Sequence, residues 1–195
     1  DRLALLMFSV TWFFAALPVS GFLQAEEVPQ RNHSANSQVI DHLFAQLGAA
    51  HTPLEAKKIA DRIERRWNYS GSDTVDLLSR RSAIAASQSD YALAIELLDR
   101  AIVLKPAWAE AYHQRAAVFV ALDDDRRAVA DLAQALRLEP RHYDAMIMLA
   151  ALLQKQDQKK SAYALYQHVL TLYPMHETVQ HLAEQLRKIV QGQDL

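Results

Sequence analysis

The 195-residue sequence has no cysteine, so it can form neither disulfide bonds nor thiolate metal sites. It contains only four glycines and six prolines, and it lacks runs of alternating β-branched and aromatic residues that would indicate a sheet. Its net charge of −2 lacks the basic excess of a nucleic-acid-binding protein. Alanine and leucine are abundant and 51% of the residues are hydrophobic, which favours an all-α protein with a packed core.

The motifs of common catalytic and metal sites are also absent. No G-x-S-x-G, P-loop or G-x-G-x-x-G sequence occurs. The eight histidines include no His-Glu-x-x-His pattern, and the spacing of His176 and His181 does not place them on one helix face. We therefore expect no enzymatic activity, no cofactor and no metal ion, with the imidazoles at the surface or partly buried.

The first 25 residues lack charge after Arg2. Their strongly apolar beginning gives way to Pro18 and then to small residues, an order typical of a secretory signal peptide. We expect cleavage after Ala25, with Gly21 as the alternative site, and export of the mature chain. Two other interpretations stay open: an uncleaved membrane anchor formed by residues 3–23, or a buried N-terminal helix.

The strongest signal in the sequence is a repeat of 34 residues. Pro106, Pro140 and Pro174 follow one another at this spacing, and each ends a similar phrase: AIVLKP, ALRLEP and VLTLYP. Alignment on these prolines gives three units: 75–108, 109–142 and 143–176.

Positions within the units also agree. Position 20 is alanine in every unit: Ala94, Ala128 and Ala162. Position 8 is small in every unit: Ser82, Ala116 and Ala150. Small side chains let two helices of a hairpin approach closely, and a proline after the second helix prevents its continuation. Each unit is therefore predicted to be a pair of short helices.

This pattern resembles the tetratricopeptide-repeat (TPR) family, which has a large residue at position 4, small residues at positions 8 and 20, and proline at position 32. Position 4 is here Leu78, Tyr112 and Met146. The resemblance implies an α-solenoid, a right-handed superhelix of helix hairpins. It extends to exported, periplasmic TPR proteins of proteobacteria, which consist of a leader and a short array.

Further segments flank the three repeats. Residues 37–74 have apolar residues at helical spacing but lack the terminal proline, and we expect a degenerate TPR-like hairpin that caps the array. Residues 177–195 are predicted to form a capping helix and tail. Residues 26–36 are polar and predict a flexible linker after the leader, residues 1–25. Four aromatic residues stand at unit boundaries, where we expect them to pack between hairpins: Trp67, Tyr69, Trp108 and Tyr143.

In the TPR family, the first helix of each repeat lines a concave groove, mainly with positions 2, 5, 9, 12 and 13. The resemblance assigns twelve residues to this protein-binding wall, most of them small or uncharged: Asp76, Ser79, Ala83 and Ser87; Glu110, His113, Ala117 and Val120; Asp144, Ile147, Ala151 and Gln154. Such a wall leaves room for an extended segment or a helix of a partner.

The acidic residue at position 2 of each repeat has two interpretations. Asp76, Glu110 and Asp144 could form a ladder that attracts a basic partner, or they could interact with the helix N-termini. Chaperone-binding TPR proteins grip a C-terminal carboxylate with lysine, asparagine and arginine. The corresponding places hold none of these residues, so we do not expect such a clamp: Ser79, Ala83, Gln114, Asp144 and Met148.

Together these observations predict a non-enzymatic adaptor or scaffold that binds a protein or peptide in its concave groove, in the periplasm and in an envelope-assembly or secretion setting. Two alternatives stay open: a self-associating structural TPR subunit, and a membrane-anchored accessory of an envelope enzyme. No nucleic-acid partner is expected, and membrane contact is expected only through an uncleaved leader.

Overall fold

A computed structural model describes residues 31–192, with side chains from residue 38. The predicted leader and its cleavage sites lie outside this range. The described residues form nine α-helices and no strand, in agreement with the all-α prediction: α1 Arg31–Gly48, α2 Pro53–Trp67, α3 Asp73–Ser87, α4 Tyr91–Leu104, α5 Ala109–Ala121, α6 Asp125–Leu138, α7 Tyr143–Lys155, α8 Lys159–Leu172 and α9 Glu177–Gly192. None of these helices is long and apolar enough to cross a membrane.

Helices α3 to α8 form three consecutive hairpins, one in each 34-residue unit. The alanines at position 20 have no exposed surface, so they lie at the close approach between the helices of a hairpin. In the first hairpin, the Ser82 hydroxyl at position 8 donates a hydrogen bond across the contact to the Ala94 carbonyl at 3.0 Å. Small side chains thus set the spacing between the helices.

A non-glycine residue with positive φ ends the first helix of each repeat. Ser89, Asp123 and Asp157 have φ angles of 62°, 57° and 60° and share position 15. This left-handed conformation reverses the chain within a few residues. Asp90 and Asp124 follow directly and accept hydrogen bonds from the first-turn N–H groups of the second helix.

The N-terminal hairpin, α1 and α2, does not stack on α3 in the way that each repeat stacks on the next. Helix α4 packs on α5 and α6 packs on α7, whereas α2 makes no comparable contact with α3. Instead α1 contacts α8, and the apolar residues of α1 and α2 share one core with those of α7, α8 and α9. The hairpin therefore lies away from the predicted capping position at the start of the array.

Two charged residues of α2 give a physical reason for this placement. Positions 21 and 28 of α4 and α6 are apolar and pack against the following repeat: Ile95, Ile102, Val129 and Leu136. The corresponding positions of α2 hold Lys57 and Glu64. Burying these charges against α3 would cost desolvation free energy. In the observed position, Glu64 accepts a hydrogen bond from the Tyr143 hydroxyl at 3.1 Å.

Two further details differ from the sequence-based expectations. Helix α1 begins at Arg31, so residues 31–36 of the predicted linker are helical. Tyr69 is 64% exposed and does not pack between hairpins, unlike the other three boundary aromatics. Helix α9 packs against α8 through an apolar stripe, as expected of a helix that covers the end of an array: Val179, Ala183 and Leu186.

Candidate protein-binding groove

The twelve predicted wall residues fall into two groups. Positions 2 and 5, near the N-termini of α3, α5 and α7, are buried or partly buried: Asp76, Ser79, Glu110, His113, Asp144 and Ile147. We call these six residues the closed half of the groove. The positions further along the same helices are exposed, apart from the partly buried Gln154: Ala83, Ser87, Ala117, Val120, Ala151 and Gln154. We call these the open half.

The C-terminal end of α2 packs beside the closed half. The Trp67 ring stacks on His142, with ring centroids 4.2 Å apart, and lies 4.9 Å from the Tyr143 ring. The Trp67 carbonyl accepts a hydrogen bond from Trp108 Nε1 at 2.7 Å. These contacts place α2 across the turn between the second and third repeats, beside the start of α7.

A hydrogen-bonded network lies beneath this contact. Its centre is Glu110, which is 6% exposed. Glu110 Oε2 lies 2.9 Å from His142 Nε2, and Glu110 Oε1 lies 3.4 Å from His113 Nδ1. Gln114 Nε2 donates to Glu110 Oε1 at 3.1 Å. Gln114 also accepts a hydrogen bond from the Ser79 hydroxyl at 2.8 Å and thereby joins α3 to α5.

Burial and hydrogen bonding shift the pKa values of three groups in the closed half. Burial raises the pKa of Glu110, but the hydrogen bonds from His113 and His142 outweigh it and give a pKa of about 2. Burial lowers the pKa of His113, yet the contact with Glu110 leaves that pKa above its ordinary value of 6.5. Burial raises the pKa of Asp144 to about 6, although the nearby histidines oppose this effect. The closed half therefore holds three groups that respond to pH.

The same residues raise the question of a metal site. One ligand atom each from Glu110, His113 and His142 lies within 4.8 Å of the others, a combination that suits zinc. However, His142 Nδ1 accepts the Ala145 N–H at 3.4 Å as the N-cap of α7. In the neutral imidazole this places the proton on Nε2, where it is donated to Glu110. The cluster is thus arranged as a hydrogen-bonded network. A cation bound to Nε2 would move the imidazole proton to Nδ1, and Nδ1 could then no longer accept the Ala145 N–H that caps α7.

We expect the stability of the protein to depend on pH through this network. The contributions of Asp144 and His113 are present at low pH and are lost as the pH rises through about 6 for Asp144 and above 6.5 for His113. The contribution of Glu110 is present above 4.5 and is lost as the pH falls towards about 2. Together they should be most stabilising between about pH 4 and pH 5. Urea denaturation at a series of pH values measures the free energy of unfolding and tests this dependence.

The matched variant for this experiment is Asp144→Asn, which removes one of the three titrating groups. We expect the decline in the free energy of unfolding between about pH 4 and pH 7 to be smaller in this variant than in the wild type. Identical profiles for the two proteins would show that Asp144 is solvated and that the closed half is not formed as described.

The open half contains an apolar pocket between α3 and α5, of about 390 Å³. Its lining has no charged side chain and combines four alanines, one valine and one tyrosine with two polar residues: Ala83, Ala86, Ala117, Ala121, Val118, Tyr91, Ser82 and Gln114. Ala83 and Ala117 belong to the predicted wall and are exposed. Two of the twelve residues predicted to line the groove therefore line this accessible pocket.

Sequence reasoning missed the network because its two principal partners stand at opposite ends of one repeat. His142 is the last residue of the second unit and Glu110 is the second residue of that unit, 32 positions earlier. A search for pairs on one helix face does not find such a contact. Stacking of repeats brings successive turns and helix starts together, so comparing positions 34 and 2 would have indicated it.

Helices α3 to α9 define a class of protein: an α-solenoid of short helix hairpins with a terminal helix and an apolar pocket between α3 and α5. Residues 109–142, the second predicted unit, match the tetratricopeptide repeat family. A TPR repeat-containing protein of Rhizobium etli is 41% identical over 90 residues, which are 46% of this chain and 44% of that protein. The chain thus spans less than half the length of this relative.

Solved TPR structures share the fold. The first TPR of Spaghetti (RPAP3), bound to the HSP90 peptide SRMEEVD, has a TM-score of 0.57 and 18% identity over 61% of this chain and 94% of its own. The Yersinia enterocolitica type III secretion chaperone SycD, in complex with a peptide of the translocator YopD, has a TM-score of 0.55 and 14% identity. The match covers 60% of this chain and 94% of the chaperone chain. The chain thus contains a tetratricopeptide repeat at residues 109–142 and has the TPR fold, as its repeat pattern predicted.

Proposed function

We propose that this protein is an adaptor that holds a peptide or a helix of a protein partner in the open half of its groove. The observation that carries the proposal is the uncharged pocket between α3 and α5. Concave, mostly apolar pockets are the usual binding sites of proteins, and alanine side chains leave space for the side chains of a partner.

The chemistry of the pocket narrows the partner. The Spaghetti and SycD structures contain peptides bound to the same fold. The pocket described here has no lysine or arginine in its lining, so it offers no cation to a terminal carboxylate. We propose that apolar side chains of the partner enter the pocket and that the adjacent polar residues, such as Ser87 and Gln154, contact its backbone.

Replacing Ala117 by arginine is expected to abolish peptide capture by the groove. The arginine side chain would fill the pocket and add a charge that an apolar partner cannot pair. Phage-displayed peptides selected on the wild-type protein provide the probe. Peptides that bind the groove should lose at least about tenfold in affinity for Ala117→Arg, measured by biolayer interferometry.

Ala130→Arg is the matched control, because Ala130 is an exposed alanine on α6, outside the predicted wall. Selected peptides should bind this variant as they bind the wild type, and circular dichroism should show equal helix content in all three proteins. Peptides that bind Ala117→Arg with unchanged affinity would show that the partner docks on another surface.

We further propose that the protein acts after export, in the bacterial periplasm and in an envelope-assembly or secretion setting. The support is the order of apolar, proline and small residues in the first 25 positions. The proteobacterial relative is compatible with this setting. A partner in that compartment would meet a groove that is neutral in its open half.

Mass spectrometry of the chain recovered from bacterial periplasm tests the leader. Cleavage after Ala25 should give a mature protein that begins at Glu26. Recovery of the uncleaved chain in the membrane fraction would instead support the anchored alternative, in which the protein serves as an accessory of an envelope enzyme. Recovery of the uncleaved chain in the cytosol would contradict both interpretations.

A further inference from the structure

One face of α3 is uncovered although the same face of the later repeats is buried. Positions 3 and 10 of α5 and α7 pack against the preceding repeat and are at most 5% exposed: Ala111, Val118, Ala145 and Leu152. In α3 these positions hold Leu77 and Ile84, which are 49% and 58% exposed. Larger apolar side chains thus stand in solvent at the positions that stacking normally covers.

Position 7, which lies between positions 3 and 10, also matches its contact partner across each repeat interface. Position 7 of α5 is Arg115, whose Nη1 atom donates to Asp99 Oδ1 of the preceding repeat at 2.6 Å. Asp99 is at position 25 of its repeat. In the next interface, the same two positions hold Leu149 and Ala133, so neither is charged. Positions 7 and 25 therefore match each other in chemistry across both repeat interfaces.

Position 7 of α3 is Arg81, which is exposed and makes no ion pair with any described residue. Arg115 also pairs with Asp131 of its own repeat, at position 23, but that position in the first repeat is the buried Leu97. The ion pair that Arg115 makes within its own repeat is therefore not available to Arg81. A carboxylate at position 25 of a preceding helix would supply an ion-pair partner.

The described helices of this chain cannot supply that preceding helix without rearrangement. Helix α2 carries Lys57 and Glu64 at the positions that would face Leu77 and Ile84, and the Trp67 contacts hold it at the turn between the second and third repeats. The corresponding faces of α4 and α6 are covered by α5 and α7, and α9 packs on α8. A second copy therefore offers no free helix of the required pattern among these residues.

We propose that the face formed by Leu77, Arg81 and Ile84 is a docking surface for an amphipathic helix of another protein. The partner helix carries apolar residues at i and i+7 and a carboxylate at i+4, the pattern with which Ile95, Asp99 and Ile102 of α4 meet α5. It extends the array by one helix at its N-terminal end. This surface is separate from the open half of the groove.

A fluorescently labelled, alanine-rich helical peptide with isoleucine, aspartate and isoleucine at i, i+4 and i+7 is the probe. Binding to the full chain is followed by fluorescence anisotropy. We expect Leu77→Asp to weaken binding by at least about tenfold, because it places a carboxylate at the apolar contact. Val103→Asp is the control, since Val103 is an aliphatic residue of α4 that is 79% exposed and lies outside this face; it should leave binding unchanged.

A charge exchange distinguishes docking from non-specific adsorption. Arg81→Glu should weaken binding of the aspartate peptide by about tenfold. The same variant should bind a peptide with lysine in place of that aspartate more tightly than it binds the aspartate peptide. Ala117→Arg should have no effect, which separates this surface from the groove. The proposal is wrong if the wild type binds neither peptide, or if it binds the aspartate and lysine peptides equally. It is also wrong if light scattering shows a dimer that Leu77→Asp dissociates, since a second copy would then occupy the face.

Discussion

Replacement of Trp67 by alanine is expected to lower the free energy of unfolding by about 4 kcal/mol, the range observed when large buried aromatic side chains are removed. The Trp67 ring contacts His142, Tyr143 and Phe44, with centroids 4.2, 4.9 and 6.0 Å away, and the residue is 8% exposed. It therefore joins the N-terminal hairpin to the second and third repeats. Guanidinium denaturation followed by circular dichroism measures the loss.

Trp67→Phe is the informative companion. The indole Nε1 is buried and has no hydrogen-bond partner among the described residues, so phenylalanine keeps an aromatic ring while removing an unsatisfied donor. We expect a change of about 1 kcal/mol or less. If the alanine variant were as stable as the phenylalanine variant, the ring stack would not be what holds the hairpin on the array.

Replacement of Glu110 by alanine is expected to cost about 3 kcal/mol, because it leaves a buried imidazole without its acceptor. His142 has no exposed surface, and its Nε2 atom lies 2.9 Å from Glu110. Removing the carboxylate also leaves His113 and the amide of Gln114 without a shared partner. Urea denaturation near neutral pH gives the difference.

Glu177→Ala provides the matched control for that measurement. Glu177 is an exposed glutamate in the first turn of α9, so its removal should change the free energy of unfolding by about 0.5 kcal/mol or less. Equal effects of the two substitutions would indicate that Glu110 is solvated, and the description of the closed half would then fail.

The repeat itself was readable from the sequence because it depends on volume at a few positions. Ala94, Ala128 and Ala162 share one position and have no exposed surface, and the prolines mark each turn. The left-handed residues Ser89 and Asp157 carry a weaker signal, since serine and aspartate occur in many turn conformations.

The placement of the N-terminal hairpin was not predicted, although the sequence contains a clue to it. A degenerate repeat was expected to cap the array by stacking on α3. Lys57 and Glu64 occupy its two interface positions, where the other repeats are apolar. Charged side chains at those positions disfavour tight stacking on α3. Only the three-dimensional structure shows where the aromatic end of α2 packs instead.

The attachment of α1 to the second and third repeats changes how the chain must fold. Arg141 Nη1 donates to Asp41 at 2.8 Å, a contact between residues one hundred positions apart, whereas the repeats otherwise contact only their neighbours. Closing such a long loop costs chain entropy before the contact can form, so this step is expected to follow assembly of the repeats. Once formed, it joins the N-terminal hairpin to the C-terminal part of the array, so that these two parts of the chain can no longer fray independently.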